Sequence, residues 1–159
     1  MRNTRPISWL KAARKDFEEF PEDVQSDMFD ALTIAAEGGK SDKAKPFKGF
    51  EMKNDDMELI RGSGNIYRDF ERPNAGLEQA RAIIAAKIIN ILDDRKLSTR
   101  DAEKQTGVSH SEFSHIRNAQ LRRFTLDRMI IILGKLDEDV EVNVTFQPRQ
   151  HSESAPQLL

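Results

Sequence analysis

A short polar run near residue 110 carries side chains that could hydrogen-bond to the edges of DNA bases. These candidate base-reading residues are His110, Ser111, Ser114 and His115. On a helix, at about 100° per residue, they fall on one side, whereas Phe113 and Ile116 fall on the other. Imidazoles and hydroxyls can donate and accept hydrogen bonds, which is what base recognition in a major groove requires. The pattern therefore favours a recognition helix that packs through Phe113 and Ile116.

A metal site is the first alternative for the two histidines. His110 and His115 diverge by about 140° on a helix, a geometry that does not suit one shared ion. The chain has no cysteine to supply a thiolate ligand, and it contains no H-E-x-x-H motif. The sequence predicts no metal, no cofactor and no catalytic residue, so we expect a protein that is not an enzyme. Simple surface histidines are the remaining alternative to base contact.

Positive charge flanks the polar run, as contact with a phosphate backbone requires. The candidate phosphate-contacting residues are Thr99, Arg100, Arg117, Asn118, Arg122 and Arg123. Between His115 and Arg128 the chain carries four arginines against Asp127 alone, although its net charge is only -2. We interpret this local excess as part of a DNA-binding surface. The alternative is a solvated surface, or one that binds the carboxylates of a partner.

Local signals place the polar run on the second of two short helices. Ser98 and Ser109 are residues of the N-cap type, and Ser109 stands three residues before Glu112, which predicts a capping box. Gly107 provides the turn between the two helices. Residues 77–95 lack Gly and Pro and predict a long helix, and a last helix follows Thr125. Residues 77–146 therefore predict a helix-turn-helix bundle, in a chain that is mainly α with a minor β component.

The end of this bundle alternates between apolar and polar residues, which predicts a half-buried strand. Its apolar members are Val140, Val142, Val144 and Phe146. A lone strand leaves its backbone unpaired, so it requires a partner strand. That partner is either residues 57–61 of the same chain or the same strand of a second subunit. We favour a homodimer, because two-fold pairing would present two recognition helices to a palindromic DNA site.

The first half of the chain predicts a smaller unit. In residues 1–50 we expect a short strand near Ile7, a helix over residues 11–20 and a second helix from Glu22 to Gly38. The buried stripe expected on that second helix is Val24, Met28, Ala31, Leu32 and Ala35. Residues 51–76 are polar and acidic at their start and predict a linker, and residues 147–159 lack periodicity and predict a disordered tail.

Composition narrows the class of protein. The chain has 159 residues, of which 38% are hydrophobic and 33% charged, and it has no cysteine, which excludes disulfide scaffolds. The first residues contain no apolar signal core, and no segment approaches the roughly 20 apolar residues that cross a membrane. We therefore expect a soluble, cytoplasmic protein without a membrane partner.

Residues 77–146 resemble the XRE, or lambda-repressor-like, helix-turn-helix family, and more narrowly its antitoxin branch. The resemblance lies in STRDAEKQTGVSHSEFSHIRN and in the following RRFTLDRMIIIL. It implies phosphate contacts where the first motif helix opens, at Thr99 and Arg100, and where the second ends, at Arg117 and Asn118. It also implies base contacts by His110, Ser111 and His115. Glu103 departs from the small residue that the family prefers at that place.

Residues 1–50 resemble the N-terminal half of HigB and RelE-like phage-derived toxins, in PISWLKAARKDFEEFPEDVQ and in AKPFKGF. The strands that carry that family's catalytic residues do not follow, so the resemblance implies a truncated toxin. The run MKNDDMELIRGSGNIYRDF resembles the start of HigA-type antitoxins, and Met52 would mark the former start of a separate antitoxin.

Together these resemblances imply an antitoxin-type transcriptional repressor of a toxin-antitoxin operon. Its partners would be operator DNA, a second copy of the chain and a separate HigB/RelE-like toxin. The alternative is a fused toxin-antitoxin protein with a silenced ribosome-dependent mRNA endoribonuclease segment.

Overall fold

The chain is mainly α-helical with one small sheet, as the sequence predicts. The computed structural model describes residues 4–42, 58–136, 139–146 and 148. The start of the predicted linker, Met52 and the predicted tail from residue 149 lie outside the described residues. The elements are β1 (Ser8–Leu10), α1 (Lys11–Glu18), α2 (Glu22–Ala36), β2 (Leu59–Arg61), α3 (Ile66–Asp69), α4 (Ala75–Asp94), α5 (Thr99–Thr106), α6 (His110–Arg117), a 3-10 turn (Leu121–Arg123) and α7 (Leu126–Lys135).

The first half of the chain is built around a cluster of aromatic rings. β1 pairs antiparallel with β2, with Trp9 opposite Ile60. The cluster consists of Trp9, Phe17, Phe29, Tyr67 and Phe70, whose contacting ring centroids are 4.9 to 5.6 Å apart. We call this set the aromatic cluster. Because β2 pairs with β1, and Tyr67 and Phe70 belong to the cluster, residues 58–74 are not the linker that the sequence predicts.

The buried face of α2 agrees only in part with the predicted one. Ala31 and Leu32 are partly buried and pack against the cores, as predicted, but Ala35 is exposed. Val24 and Met28 are 38% and 37% exposed, whereas Phe29 and Ile34 are fully buried. Phe29 lies in the aromatic cluster, and Ile34 belongs to the core of the helical bundle. Contacts with two separate cores therefore orient α2, and helical spacing alone does not reveal them.

The second half of the chain is built around an aliphatic core. Every helix from α4 to α7 contributes residues to this core. α4 lies at its centre and packs against α2 on one side and α7 on the other. The chain passes close to α4 at Gly39, just after the end of α2. A Cβ added to Gly39 would lie 2.8 Å from Cγ2 of Ile34 and 3.4 Å from Cα of Ala86 of α4. No helix within the described residues has the length and apolar character needed to cross a membrane.

Residues 140–146 form no strand in the single chain. Val140 packs against the aliphatic core, but Val142, Val144 and Phe146 are exposed. The alternative in which residues 140–146 pair with residues 57–61 of the same chain is wrong for the described part of that segment. The sheet that contains β2 has β1 as its only other strand among the described residues.

Candidate nucleic-acid interface

Two capped helices meet at a tight turn, as the sequence predicts. The Ser98 side chain accepts a hydrogen bond from the Asp101 backbone N–H, and the Asp101 carboxylate accepts one from the Ser98 backbone N–H, so α5 begins with a capping box. Gly107 ends α5 with φ at +75°, a left-handed conformation that glycine adopts without strain. The buried side chain of Val108 then directs the chain into α6.

The cap of α6 differs from the predicted one in a single respect. Ser109 is the N-cap and accepts a hydrogen bond from the backbone of Ser111. The capping box with Glu112 is incomplete, because the Ser109 side chain accepts from the backbone of Ser111 and not from that of Glu112. Both carboxylate oxygens of Glu112 accept hydrogen bonds from Arg128, at 2.8 and 2.9 Å. Hydrogen bonding by this guanidinium lowers the pKa of Glu112 below its usual value. The pair ties α6 to α7.

The orientation of α6 confirms the predicted faces. Phe113 and Ile116 are 0% exposed and lie in the aliphatic core. On the opposite side, His110 and Ser111 are exposed, and Ser114 and His115 are partly exposed. All four candidate base-reading side chains thus reach the protein surface.

Both histidines have partners outside α6. Nδ1 of His110 lies 2.8 Å from Oε2 of Glu103, and Nδ1 of His115 lies 2.7 Å from Oε1 of Gln120. Oγ of Ser111 lies 3.4 Å from Nε2 of His115. Sequence reasoning singled out Glu103 only as a departure from the family pattern, and it missed Gln120 because that residue follows the helix.

The candidate phosphate-contacting residues divide by exposure. Arg100, Arg122 and Arg123 are exposed, and Thr99 is partly exposed. The Asn118 amide donates a hydrogen bond to the Ser114 carbonyl, at 2.9 Å, at the end of the helix.

Arg117 faces back toward the protein rather than outward. Its guanidinium donates a hydrogen bond to Asp93 of α4, at 2.9 Å, and its side chain is 15% exposed. A phosphate contact by Arg117 would require the guanidinium to leave this carboxylate.

Carboxylates offset much of the local arginine excess. Besides Arg117, Arg128 is paired with Glu112, and a nitrogen of Arg122 lies 3.5 Å from Oδ1 of Asp27 on α2. The alternative given above was that these arginines bind the carboxylates of a partner. The carboxylates that they bind belong to the same chain. The interface therefore depends on fewer available cations than the sequence indicates.

The N-terminal half borders the end of α6. The Ser41 hydroxyl and the Asp42 backbone amide both donate hydrogen bonds to the carbonyl of Arg117, at 3.1 and 2.9 Å. Arg122 also donates to the carbonyl of Asp23, at 3.4 Å. These contacts join the first half of the chain to both ends of the segment between α6 and the 3-10 turn.

Two short helices around a left-handed glycine, packed on a longer helix, define a DNA-binding module of the helix-turn-helix class. Residues 66–145 match the family model of a helix-turn-helix domain, which covers half of the chain, and the chain belongs to this family. The match includes α3 as well as the predicted bundle. Comparisons with curated proteins and with solved structures gave no significant match.

Proposed function

We propose that this chain is a sequence-specific transcriptional repressor of the antitoxin type that acts as a dimer on a palindromic operator. The observation that carries the proposal is the orientation of α6, which buries Phe113 and Ile116 and exposes His110 and Ser111 directly after the Gly107 turn. In helix-turn-helix proteins the second helix enters the major groove and its first residues contact base edges. Occupying an operator blocks transcription without any catalytic step.

Exposed cations support the phosphate contacts. Arg123 and Arg100 are exposed, and Arg122 keeps about half of its side chain in solvent despite its contact with Asp27. Each phosphate contact releases condensed counterions and steepens the dependence of affinity on salt concentration, by a slope of about 0.9 per contact. We therefore assign sequence-independent affinity to these arginines and sequence preference to the imidazoles and hydroxyls of α6.

Selection of bound sequences from random duplex DNA tests this proposal. We expect Arg123→Ala to weaken binding to every sequence and, because the dimer loses one contact from each subunit, to reduce the salt slope by about 1.8. His115→Ala should instead change the preferred bases. Lys15→Ala on α1 removes the same charge outside the interface and is the matched control, expected to leave both properties unchanged. Enrichment of no sequence, or equal effects of Arg123→Ala and Lys15→Ala, would contradict the proposal.

The segment 140–146, which is exposed from Glu141 onward, supports the dimer. In an antiparallel pair centred on Asn143, Val142 faces Val144 and Val140 faces Phe146 of the second copy, so apolar residues meet on one face. On the other face Glu141 meets Thr145, and no like charges lie opposite each other. The polarity of the segment is thus symmetric about its centre, which suits pairing between two identical strands.

The dimer is tested by molar mass in solution. Val144→Lys places a charge in the apolar face, and we expect it to yield a monomer. Thr145→Lys introduces the same side chain on the polar face, opposite Glu141, and should leave the dimer intact. A wild-type monomer at micromolar concentration would remove this part of the proposal, as would dissociation by both variants. The selected DNA site should be palindromic only if the dimer forms.

The antitoxin assignment is supported by the resemblance of residues 77–146 to that branch of the XRE family. We therefore expect the preferred site to occur in the DNA just upstream of the coding sequence. A reporter driven by that upstream DNA should be repressed by the wild-type chain and derepressed by His115→Ala. Repression that needs neither the upstream site nor α6 would contradict autoregulation.

The silenced endoribonuclease is the second candidate, and its test needs the whole chain. A fragment of residues 1–51 lacks β2, which pairs with β1, and the rings of Tyr67 and Phe70, so its inactivity would carry no information. Adding the full-length chain, with and without operator DNA, to a translation reaction is a better test. We expect intact messenger RNA in both cases, and ribosome-dependent cleavage would favour the second candidate.

A further inference from the structure

Each of the two candidate base-reading imidazoles is held through its Nδ1 atom. Nδ1 of His110 lies 2.8 Å from a carboxylate oxygen of Glu103, and Nδ1 of His115 lies 2.7 Å from the amide oxygen of Gln120. Glu103 lies on α5, and Gln120 lies in the loop that follows α6. Each imidazole is therefore fixed from outside the helix that presents it.

Oxygen partners determine which ring nitrogen carries the hydrogen. An ionised carboxylate and an amide oxygen can only accept a hydrogen bond, so Nδ1 must donate in both contacts. A neutral imidazole has one N–H, and Nε2 is then left with a lone pair. Nε2 of His110 and of His115 is consequently a hydrogen-bond acceptor.

The contact with Ser111 agrees with this tautomer. Oγ of Ser111 lies 3.4 Å from Nε2 of His115, one helical turn away on the same face. A hydroxyl can rotate to donate, so it suits a nitrogen that accepts. In the free protein the Ser111 hydroxyl therefore occupies the Nε2 lone pair of His115, and this hydroxyl has to turn away before a base amino group can donate to the same nitrogen.

Gln120 is held in place by the backbone that ends α6. Its N–H donates to the carbonyl of His115, at 2.9 Å, and the N–H of Ala119 donates to that of Ile116, at 3.0 Å. These two bonds form a Schellman motif, with Ala119 in the left-handed conformation at φ +56°. The side chain of Ala119 is buried in the aliphatic core, which fixes the loop and keeps Gln120 beside His115.

We propose that Glu103 and Gln120 are positioning residues that hold His110 and His115 in the Nδ1–H tautomer, so that the operator carries adenine or cytosine opposite each imidazole. Adenine N6 and cytosine N4 are the amino donors of the major groove, whereas guanine O6 and thymine O4 are acceptors. This inference rests on the proposed function, because it assumes that α6 reads DNA.

The tautomer is measured first, on the free full-length protein and without DNA. Nitrogen-15 NMR at pH 8, above the ordinary titration range of imidazole, distinguishes a protonated from an unprotonated ring nitrogen. We expect Nε2 to be unprotonated in both histidines of the wild type. Gln120→Leu should move the hydrogen of His115 to Nε2 and leave His110 unchanged, and Glu103→Leu should do the reverse. Gln120→Glu and Glu103→Gln keep an oxygen acceptor and should preserve the wild-type signals.

The base preference is measured second, by selection from random duplexes at the same pH. We expect adenine or cytosine opposite His115 in the wild type and in Gln120→Glu. Gln120→Leu should lose about tenfold discrimination at that position while the preference at other positions stays the same.

Protonated Nε2 in the wild type would overturn the inference, as would an unchanged preference in Gln120→Leu. A wild-type preference for guanine or thymine at both positions would also overturn it. Failure to bind any DNA would refute the proposed function instead, while the NMR result would still decide the tautomers.

Discussion

The two halves of the chain are stabilised by different chemistry. The aromatic cluster of the first half joins five rings, which come from β1, α1, α2, α3 and the residue after α3. The aliphatic core of the second half consists of Ile, Leu, Val, Ala and Met with Phe113 and Phe124. In the second half, α5 and α6 pack on each other across the Gly107 turn, and α6 and α7 both pack on α4. In the first half, β1 pairs with β2 across about fifty residues of intervening chain. Both halves therefore depend on contacts between distant parts of the sequence, but only the second half also has a pair of helices, α5 and α6, that pack across a tight turn.

α2 joins the two halves. Phe29 contributes to the aromatic cluster and Ile34 to the aliphatic core. Between them, Asp30 is buried and accepts a hydrogen bond from the Tyr67 hydroxyl. We infer that a change on α2 is felt on both sides, and this can be tested by breaking each contact in turn.

The largest effect is expected from Phe29→Ala. Removing a fully buried ring should cost about 3 to 5 kcal/mol of the free energy of unfolding. Because Ile34 lies on the same helix, we expect both halves to unfold in a single transition. Urea denaturation followed by fluorescence of Trp9, the only tryptophan, reports on the aromatic cluster, and circular dichroism reports mainly on the helical bundle.

Coincidence of the two curves decides whether the halves are one unit. Phe20→Ala removes a ring that is 48% exposed, and this control should cost much less. A fluorescence transition that shifts alone in Phe29→Ala would mean that the halves unfold independently.

A smaller effect on the free energy of unfolding is expected from the ionisation of Asp30, which lies between the two halves. The pKa of Asp30 is raised from 3.8 to about 7, mainly by burial and also by the nearby Glu78 and Asp27 carboxylates, although the Tyr67 hydroxyl and Arg81 act in the opposite direction. The folded state therefore binds a proton that the unfolded state releases, and stability falls as pH rises through this range. Between pH 5 and pH 8 the loss should be about 2 to 3 kcal/mol.

Asp30→Asn keeps an oxygen that accepts from Tyr67 but cannot ionise. We expect this variant to lose that pH dependence and to exceed the wild type in stability at pH 8. Urea midpoints at the two pH values are the measurement. Parallel pH profiles for the variant and the wild type would show that Asp30 titrates normally.

The same contrast explains what the sequence could predict. Both ends of α5 and the start of α7 were predictable from the sequence. Ser98, Gly107 and Thr125 cap these helices through the backbone of residues next to them. The buried face of α2 was not, because Val24 and Phe29 both fit a helical stripe. The choice between them depends on Tyr67, which is 37 residues from Asp30 in sequence.

The candidate site divides in the same way. The exposed side of α6 follows from helical spacing, and the sequence predicted it. The hydrogen-bond partners of its charged and polar side chains could not be predicted from helical spacing. Arg117 binds Asp93 of α4 and His115 binds Gln120 of the following loop, and both contacts depend on the tertiary fold. Patterns within one helix predict which side faces solvent, but tertiary contacts determine which groups remain free.

The smallest effects concern a motif that both halves share. α2 and α4 each end in a Schellman motif whose left-handed residue is Gly38 in the first half, at φ +86°, and Lys96 in the second, at φ +53°. A side chain in this conformation costs about 1 to 2 kcal/mol, whereas glycine loses about 0.5 to 1 kcal/mol more in chain entropy on folding. Lys96→Gly should therefore raise the free energy of unfolding by about 0.5 to 1 kcal/mol, and Gly38→Ala should lower it by a similar amount.

Space does not complicate the substitution in the first half, since a Cβ at Gly38 would meet no atom within 4 Å. Backbone strain is then the common cause, and the two variants should shift the urea midpoint in opposite directions with an unchanged slope. If the halves form one cooperative unit, the double variant should unfold close to the wild type, because the two sites are distinct and their effects add. A double variant in which fluorescence and circular dichroism shift in opposite directions would instead divide the molecule at α2.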